Sequence, residues 1–234
     1  MGVQRAPATV VICRKVPARI GAGELSSWVE AARRSSVPIT WVADIDQAAT
    51  TGDLLAQADP TARMAFSLDE GLLASRQSLR RRLADARRRL PDVDALVVRG
   101  CPSVEHRDLL VQEGIRILCV DRFEQVTRGS RRPAPRGWQC RSVVWGLWEV
   151  MSSPQPTVGV LGGIIPWASS GILAPGSLSV VDATDAGNWR LDRLISLVTK
   201  KRSRAEVQVA TLSELPELLV AGGQRRSGSV LKAA

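Results

Sequence analysis

The sequence predicts an α/β chain of single-domain architecture, closed into a distorted (β/α) barrel of seven or eight units. Three observations predict it. Short β-branched runs recur along the chain, and amphipathic helical patterns follow them without an intervening linker. The apolar runs are near-continuous and not alternating, as parallel strands buried on both faces require. With 234 residues, 44% hydrophobic and 24% charged, the chain suffices for one large domain with a sizeable core. An open doubly wound sheet fits less well, because no G-x-G-x-x-G or P-loop follows the first strand. The barrel is expected over residues 8–220, with flexible termini at 1–7 and 222–234.

The units follow in order. The first strand is expected at 8–13 (ATVVIC). After the Gly21-Ala22-Gly23 turn, a helix at 24–35 sets Leu25, Trp28, Val29 and Ala32 on one face. Strands follow at 39–43 (ITWVA) and 63–67 (RMAFS). A helix at 72–90 aligns Leu72, Leu79, Leu83 and Ala86 and stops at Pro91. The strands at 95–99 (ALVVR) and 115–120 (IRILCV) flank a helix at 104–113 that ends on Gly114, a C-cap position. The run SVVWGLW at 142–148 reads as a strand with Gly146 at a bulge. Strands at 178–182 (LSVVD) and 207–210 (VQVA) enclose a helix at 189–202. A last helix at 211–220 opens with Thr211 and Glu214 at capping-box spacing.

The net charge of +9 allows an acidic partner, nucleic acid or an anionic surface. Yet only Lys15, Lys200, Lys201 and Lys232 are lysines, and an arginine bias of this kind also follows from coding composition. The run RRRLADARRRL puts its arginines on a helix whose other face is leucine, the pattern of a solvated outer helix. Four scattered cysteines form no C-x-x-C pair, which suits a reducing, cytoplasmic setting. No signal-peptide pattern opens the chain. The uncharged stretch around TVGVLGGIIPWASSGILA is broken by prolines and glycines, so a loop packed on the domain is expected and not a membrane span.

Several segments resemble the polysaccharide deacetylases. Pro38-Ile39-Thr40-Trp41-Val42 is similar to their second strand-helix unit, and LVVRGCP, followed by LLVQEGIRILCVDR, to their arginine-bearing strand and the unit after it. VVDATDAGNWRLDRLISLV and VQVATLSELPELL resemble the last two units. The likeness spans residues 8–220 and rests on order and spacing. It implies a distorted barrel, a carbohydrate ligand and, in active members, metal-dependent removal of acetyl groups from N-acetylated sugars.

This chain departs from that pattern where the chemistry lies. The aspartate pair after the first strand is replaced by Cys13-Arg14-Lys15. The histidine pair after the third strand is replaced by Phe66-Ser67-Leu68-Asp69-Glu70. The late general-acid histidine is missing beyond Val181-Asp182, and His106 is the single histidine, expected as a surface or half-buried helix residue. A hydrolytic metal site needs several neutral imidazoles or carboxylates converging on one point. The expectation is therefore no metal, no cofactor and no deacetylation of the usual kind.

What remains is a candidate ligand-binding rim at the strand ends: Asp44, Asp46, Ser67, Asp69, Glu70, Arg99, Asp121, Trp148, Glu149, Asp182 and Asp185. Such a set suits a sugar, with aromatic faces stacking on rings and acids accepting hydroxyls. Glu149 is the first choice among the acids. The function expected is a carbohydrate-binding or diverged carbohydrate-processing barrel. The alternatives are a metal-independent glycoside hydrolase using rim carboxylates and a basic nucleic-acid binder.

Overall fold

The computed structural model describes residues 7–69, 75–99, 106–121, 140–143, 146–153, 176–183 and 188–221. Strands β1 (Ala8–Lys15), β2 (Thr40–Asp44), β3 (Arg63–Leu68), β4 (Ala95–Arg99), β5 (Ile117–Asp121), β6 (Cys140–Ser142), β7 (Trp148–Met151), β8 (Leu178–Asp182) and β9 (Val207–Ala210) form one sheet. Its order is β6-β7-β5-β4-β3-β2-β1-β8, and every pairing is parallel except β6 with β7. Thr9, Val10 and Val11 pair with both β8 and β9, so those two strands lie on opposite edges of β1. Farther along, Cys13 to Lys15 pair with β2, which continues the edge β9 began. The Ser153 N–H donates to Val180 O at 2.7 Å, drawing the end of β7 to β8. The sheet thus curls into the nearly closed barrel the sequence predicts.

The helices wrap the outside: α1 (Ala22–Arg34), α2 (Ala48–Ala58), α3 (Arg76–Arg89), α4 (Arg107–Gln112), α5 (Asn188–Arg202) and α6 (Leu215–Ala221). Successive strand residues point to opposite faces, and the core splits accordingly into two clusters. On the outer face Val10, Ile12, Trp41, Phe66, Leu96 and Leu118 pack beneath Leu25, Trp28, Leu79, Leu83 and Leu109 of the helices. On the inner face Val11, Cys13, Val42, Ala65, Ala95, Ile117, Cys119, Val150 and Val180 fill the lumen. A single register thus assigns every strand side chain to the lumen or to the helix layer.

The floor of the lumen is closed by the segment after β9. Leu212 and Leu215 are fully buried within the inner cluster. The Leu212 N–H donates to Thr40 Oγ1 at 2.9 Å, and Ser213 Oγ donates to Asp94 Oδ1 at 2.8 Å, both at strand N-terminal ends. The predicted capping residue Glu214 accepts the Thr211 N–H at 2.8 Å. The barrel is therefore sealed below, and its C-terminal end is the mouth, where barrels of this kind hold their ligands.

Two expectations need correction. The run at 142–148 is not a strand: β6 ends at Ser142, and β7 begins at Trp148. The Val143 N–H bonds Leu147 O at 2.8 Å across a reversal in which Gly146 has φ +87°, a conformation glycine adopts without strain. Helix α2 was not foreseen. It buries only Ala48, Thr51 and Leu55, and Gly52 sits within it because a Cβ there would lie 2.8 Å from Leu90 Cδ2 at the end of α3. Gly114 has φ +77°, as its predicted C-cap role after α4 requires. Glu70, Asp185, most of the uncharged stretch and the tail from 222 lie outside the described residues.

Candidate functional site at the barrel mouth

Strand parity decides which rim residues reach the mouth. Val11 and Cys13 face the lumen, so Lys15 at the end of β1 does too, and it is half-buried. The same alternation turns Asp44 inward from β2 and Ser67 inward from β3, and these two are register partners. Asp182 at the end of β8 is paired with Cys13 and shares its inward direction. Arg99 and Asp121 are register partners at the ends of β4 and β5. Asp69 is exposed, one residue past β3. The sequence expectation holds for this group: Lys15, Asp44, Ser67 and Asp182 share the inner face at one end of the barrel.

The two acids of the β2 turn part company. Asp44 Oδ1 accepts the Asp46 N–H at 3.1 Å, a local turn bond that leaves the carboxylate at the mouth. Asp46 is drawn outward into an ion pair with Arg82 of α3. The strand end supplies one mouth carboxylate where the sequence offered two.

Trp148 and Glu149 were assigned to the rim, and the structure overturns both. Because β7 starts at Trp148, that residue lies level with Ile117, the first residue of β5, at the floor end. Glu149 lies level with Leu118, which faces the helices, so its side chain enters the outer layer. There it is 7% exposed and accepts from Arg107 Nη2 of α4 at 2.9 Å. The misplacement follows directly from the misread strand boundary.

Arg14 also turns away from the mouth. It projects into the helix layer, 5% exposed, with its guanidinium carbon 4.4 Å from the centroid of the Trp28 ring, and it donates to Ala183 O. Burial pulls its pKa below the usual arginine value, while nearby Asp182 and Glu24 oppose that shift. Of the two basic residues that follow Cys13, only Lys15 presents its charge to the lumen.

The thiols are inert by environment. Burial foremost, with Cys119 and Asp182 adding to it, pushes Cys13 well above the usual thiol range; burial alone raises Cys140 to about 12. His106 is buried at the N-cap of α4, deeper than the surface or half-buried position expected. No group of three or more His, Cys, Asp or Glu side chains converges among the described residues in a way that could hold a metal ion. Among those residues, too, no helix is long and apolar enough to cross a membrane.

The arginine-rich α3 is largely occupied by its own fold. Arg76 pairs with Asp108, Arg80 with Glu113, Arg82 with Asp46 and Arg88 with Asp85. Arg87 donates to Pro91 O and Val93 O. Most of the run fastens α3 to α4, to the β2 turn and to the following loop.

The fold is that of the polysaccharide deacetylases. The structure matches a putative polysaccharide deacetylase from Mycobacterium smegmatis with a TM-score of 0.61 at 15% identity, over 95% of this chain and 93% of that one. It also matches a family 4 carbohydrate esterase from Streptomyces lividans, solved in complex with acetate. That match has a TM-score of 0.50 at 12% identity, over 92% of this chain and 96% of the other. No protein-family model matches the sequence, and no curated protein matches it. The predicted resemblance is thus met at the level of the fold.

Proposed function

We propose that this chain is a carbohydrate-binding or diverged carbohydrate-processing barrel that works without metal-dependent deacetylation. The observation that carries the reading is the composition of the inner face at the mouth. Lys15, Asp44, Ser67 and Asp182 supply one cation, two carboxylates and one hydroxyl. That set is suited to ligand hydroxyls. It does not fit the metal ion that the fold family implies: the donors are few, no imidazole is among them, and an ammonium stands within the group. A cytoplasmic setting belongs to the same reading, supported by Cys13, Cys119 and Cys140 as free thiols.

The test is titration calorimetry with oligosaccharides against the intact chain and Asp44→Ala. Losing a charged acceptor at the mouth should weaken binding about tenfold, in line with the ~1.5–3 kcal/mol carried by hydrogen bonds to charged groups. The melting temperature should be unchanged. Equal affinity in the variant would move the ligand away from the mouth.

A paired-carboxylate hydrolase is the second reading, because Asp44 and Asp182 face the lumen from the strands on either side of β1. It requires glycoside turnover that Asp44→Asn and Asp182→Asn each abolish while binding persists. Persistent turnover in either variant would exclude it.

A further inference from the structure

Lys15 differs from the other well-ordered cations of this barrel. Arg76, Arg80, Arg82, Arg107, Arg116 and Lys201 each sit within ion-pair reach of an acid. Lys15 is half-buried, and neither an ion pair nor a hydrogen bond engages its ammonium among the described residues. A charge partly removed from water without a counter-ion is unfavourable, and an oxyanion brought to it relieves that.

Its neighbours narrow the kind of oxyanion. Lys15 is level with Val42, and Asp44 lies two residues farther along β2 on the same face. Ser67, the register partner of Asp44, is 5% exposed and adds a hydroxyl. Asp182 flanks Lys15 from the opposite strand. A bare inorganic anion would meet the field of two carboxylates, and a neutral sugar would leave the ammonium uncompensated. A sugar bearing an acid group satisfies both demands. Its hydroxyls donate to Asp44 and bond Ser67 while its oxyanion pairs with Lys15.

We infer that the mouth takes an acidic sugar, with Lys15 as the residue that selects the charge. This rests on the carbohydrate reading above and names its ligand class. A sugar carboxylate and a sugar phosphate share the required chemistry, and separate probes distinguish them.

The experiment is calorimetry on the full chain with trigalacturonate, its methyl ester, glucose 6-phosphate, glucose and inorganic phosphate. Trigalacturonate or glucose 6-phosphate should bind at least about tenfold more tightly than its uncharged counterpart, and whichever does so identifies the acid. Lys15→Met should abolish that preference, Lys15→Arg should keep it, and added salt should weaken it. Both variants should fold, because no ion pair or hydrogen bond of the described residues is lost; melting curves verify this. Equal affinity for acid and neutral forms, unchanged in Lys15→Met, would overturn the charge selection and leave a carbohydrate site standing. Phosphate binding as tightly as the sugar acids would overturn the sugar component. Failure of every sugar to bind would overturn this inference and the carbohydrate reading together.

Discussion

The two ends of this barrel are built from different materials. The floor is apolar and sealed, with Leu212 and Leu215 fully buried among lumen residues and their backbone tied to Thr40. The mouth carries Lys15, Asp44, Ser67 and Asp182 on the same inner face, three of them only half-buried. One strand pattern, with apolar residues early and polar residues at the last inward position, produces both. The difference separates what stabilises the fold from what is free to meet a ligand. It also separates acids of the same type: Asp44 stays at the mouth, while Asp46 and Glu149 are held by arginines of the helix layer.

That separation can be broken most severely at Glu149. Its replacement by alanine leaves Arg107, with 17% of its side chain exposed, without the acid it pairs with, which should cost ~3–5 kcal/mol. Denaturant unfolding should show the loss while ligand affinity stays unchanged. A variant of normal stability that loses binding would return Glu149 to the site.

Next is the floor. Leu212→Ala opens a cavity in the lumen and should cost ~2–5 kcal/mol, read as a lower denaturation midpoint, again with ligand affinity intact. A smaller effect is expected from Asp46→Ala, which removes a solvent-exposed pair with Arg82 and should change stability by no more than ~1 kcal/mol. Side by side with Asp44→Ala, it should reverse the balance of effects: Asp46 touches stability slightly and binding not at all.

The smallest effect is a pH dependence in the outer layer. Arg76 bonds both oxygens of Asp108, at 2.8 and 2.5 Å, and holds its carboxyl down at about 2. A carboxyl depressed on folding contributes stability above its unfolded pKa, near 4, and loses it as the pH falls toward 2. Thermal melts of the wild type and Asp108→Asn should therefore differ slightly at pH 6 and converge near pH 2, with the difference shrinking in salt. Divergence at low pH would contradict the assignment.

Much of this architecture was legible in the sequence, for identifiable reasons. β8 and β9 announced themselves as LSVVD and VQVA because a strand covered on both faces must be apolar at every position. The α3 stripe was legible because Leu79, Leu83 and Ala86 recur at helical spacing against a charged background. Helix α2 was not, since its buried side is made of Ala48, Thr51 and Leu55, small residues with little hydrophobic contrast, and Gly52 argues locally against a helix. In SVVWGLW the apolar content masked a chain reversal. The one signal for it was Gly146, read as a bulge when its positive φ serves a turn. That boundary error placed Trp148 and Glu149 at the wrong end of the barrel. Lys15 could have been singled out earlier by carrying the alternation of Val11 and Cys13 two residues further. Its lack of a counter-ion could not, because that depends on distances between strands.

The measurement that tests the central claim most directly is acetate release from an acetylated chito-oligosaccharide by the folded chain, with added zinc or cobalt and with a chelator. The mouth described here predicts no release above background in any of the three conditions. Release that rises with metal and disappears with chelator would contradict it, and would require metal ligands that the inner face at Lys15, Asp44, Ser67 and Asp182 does not supply.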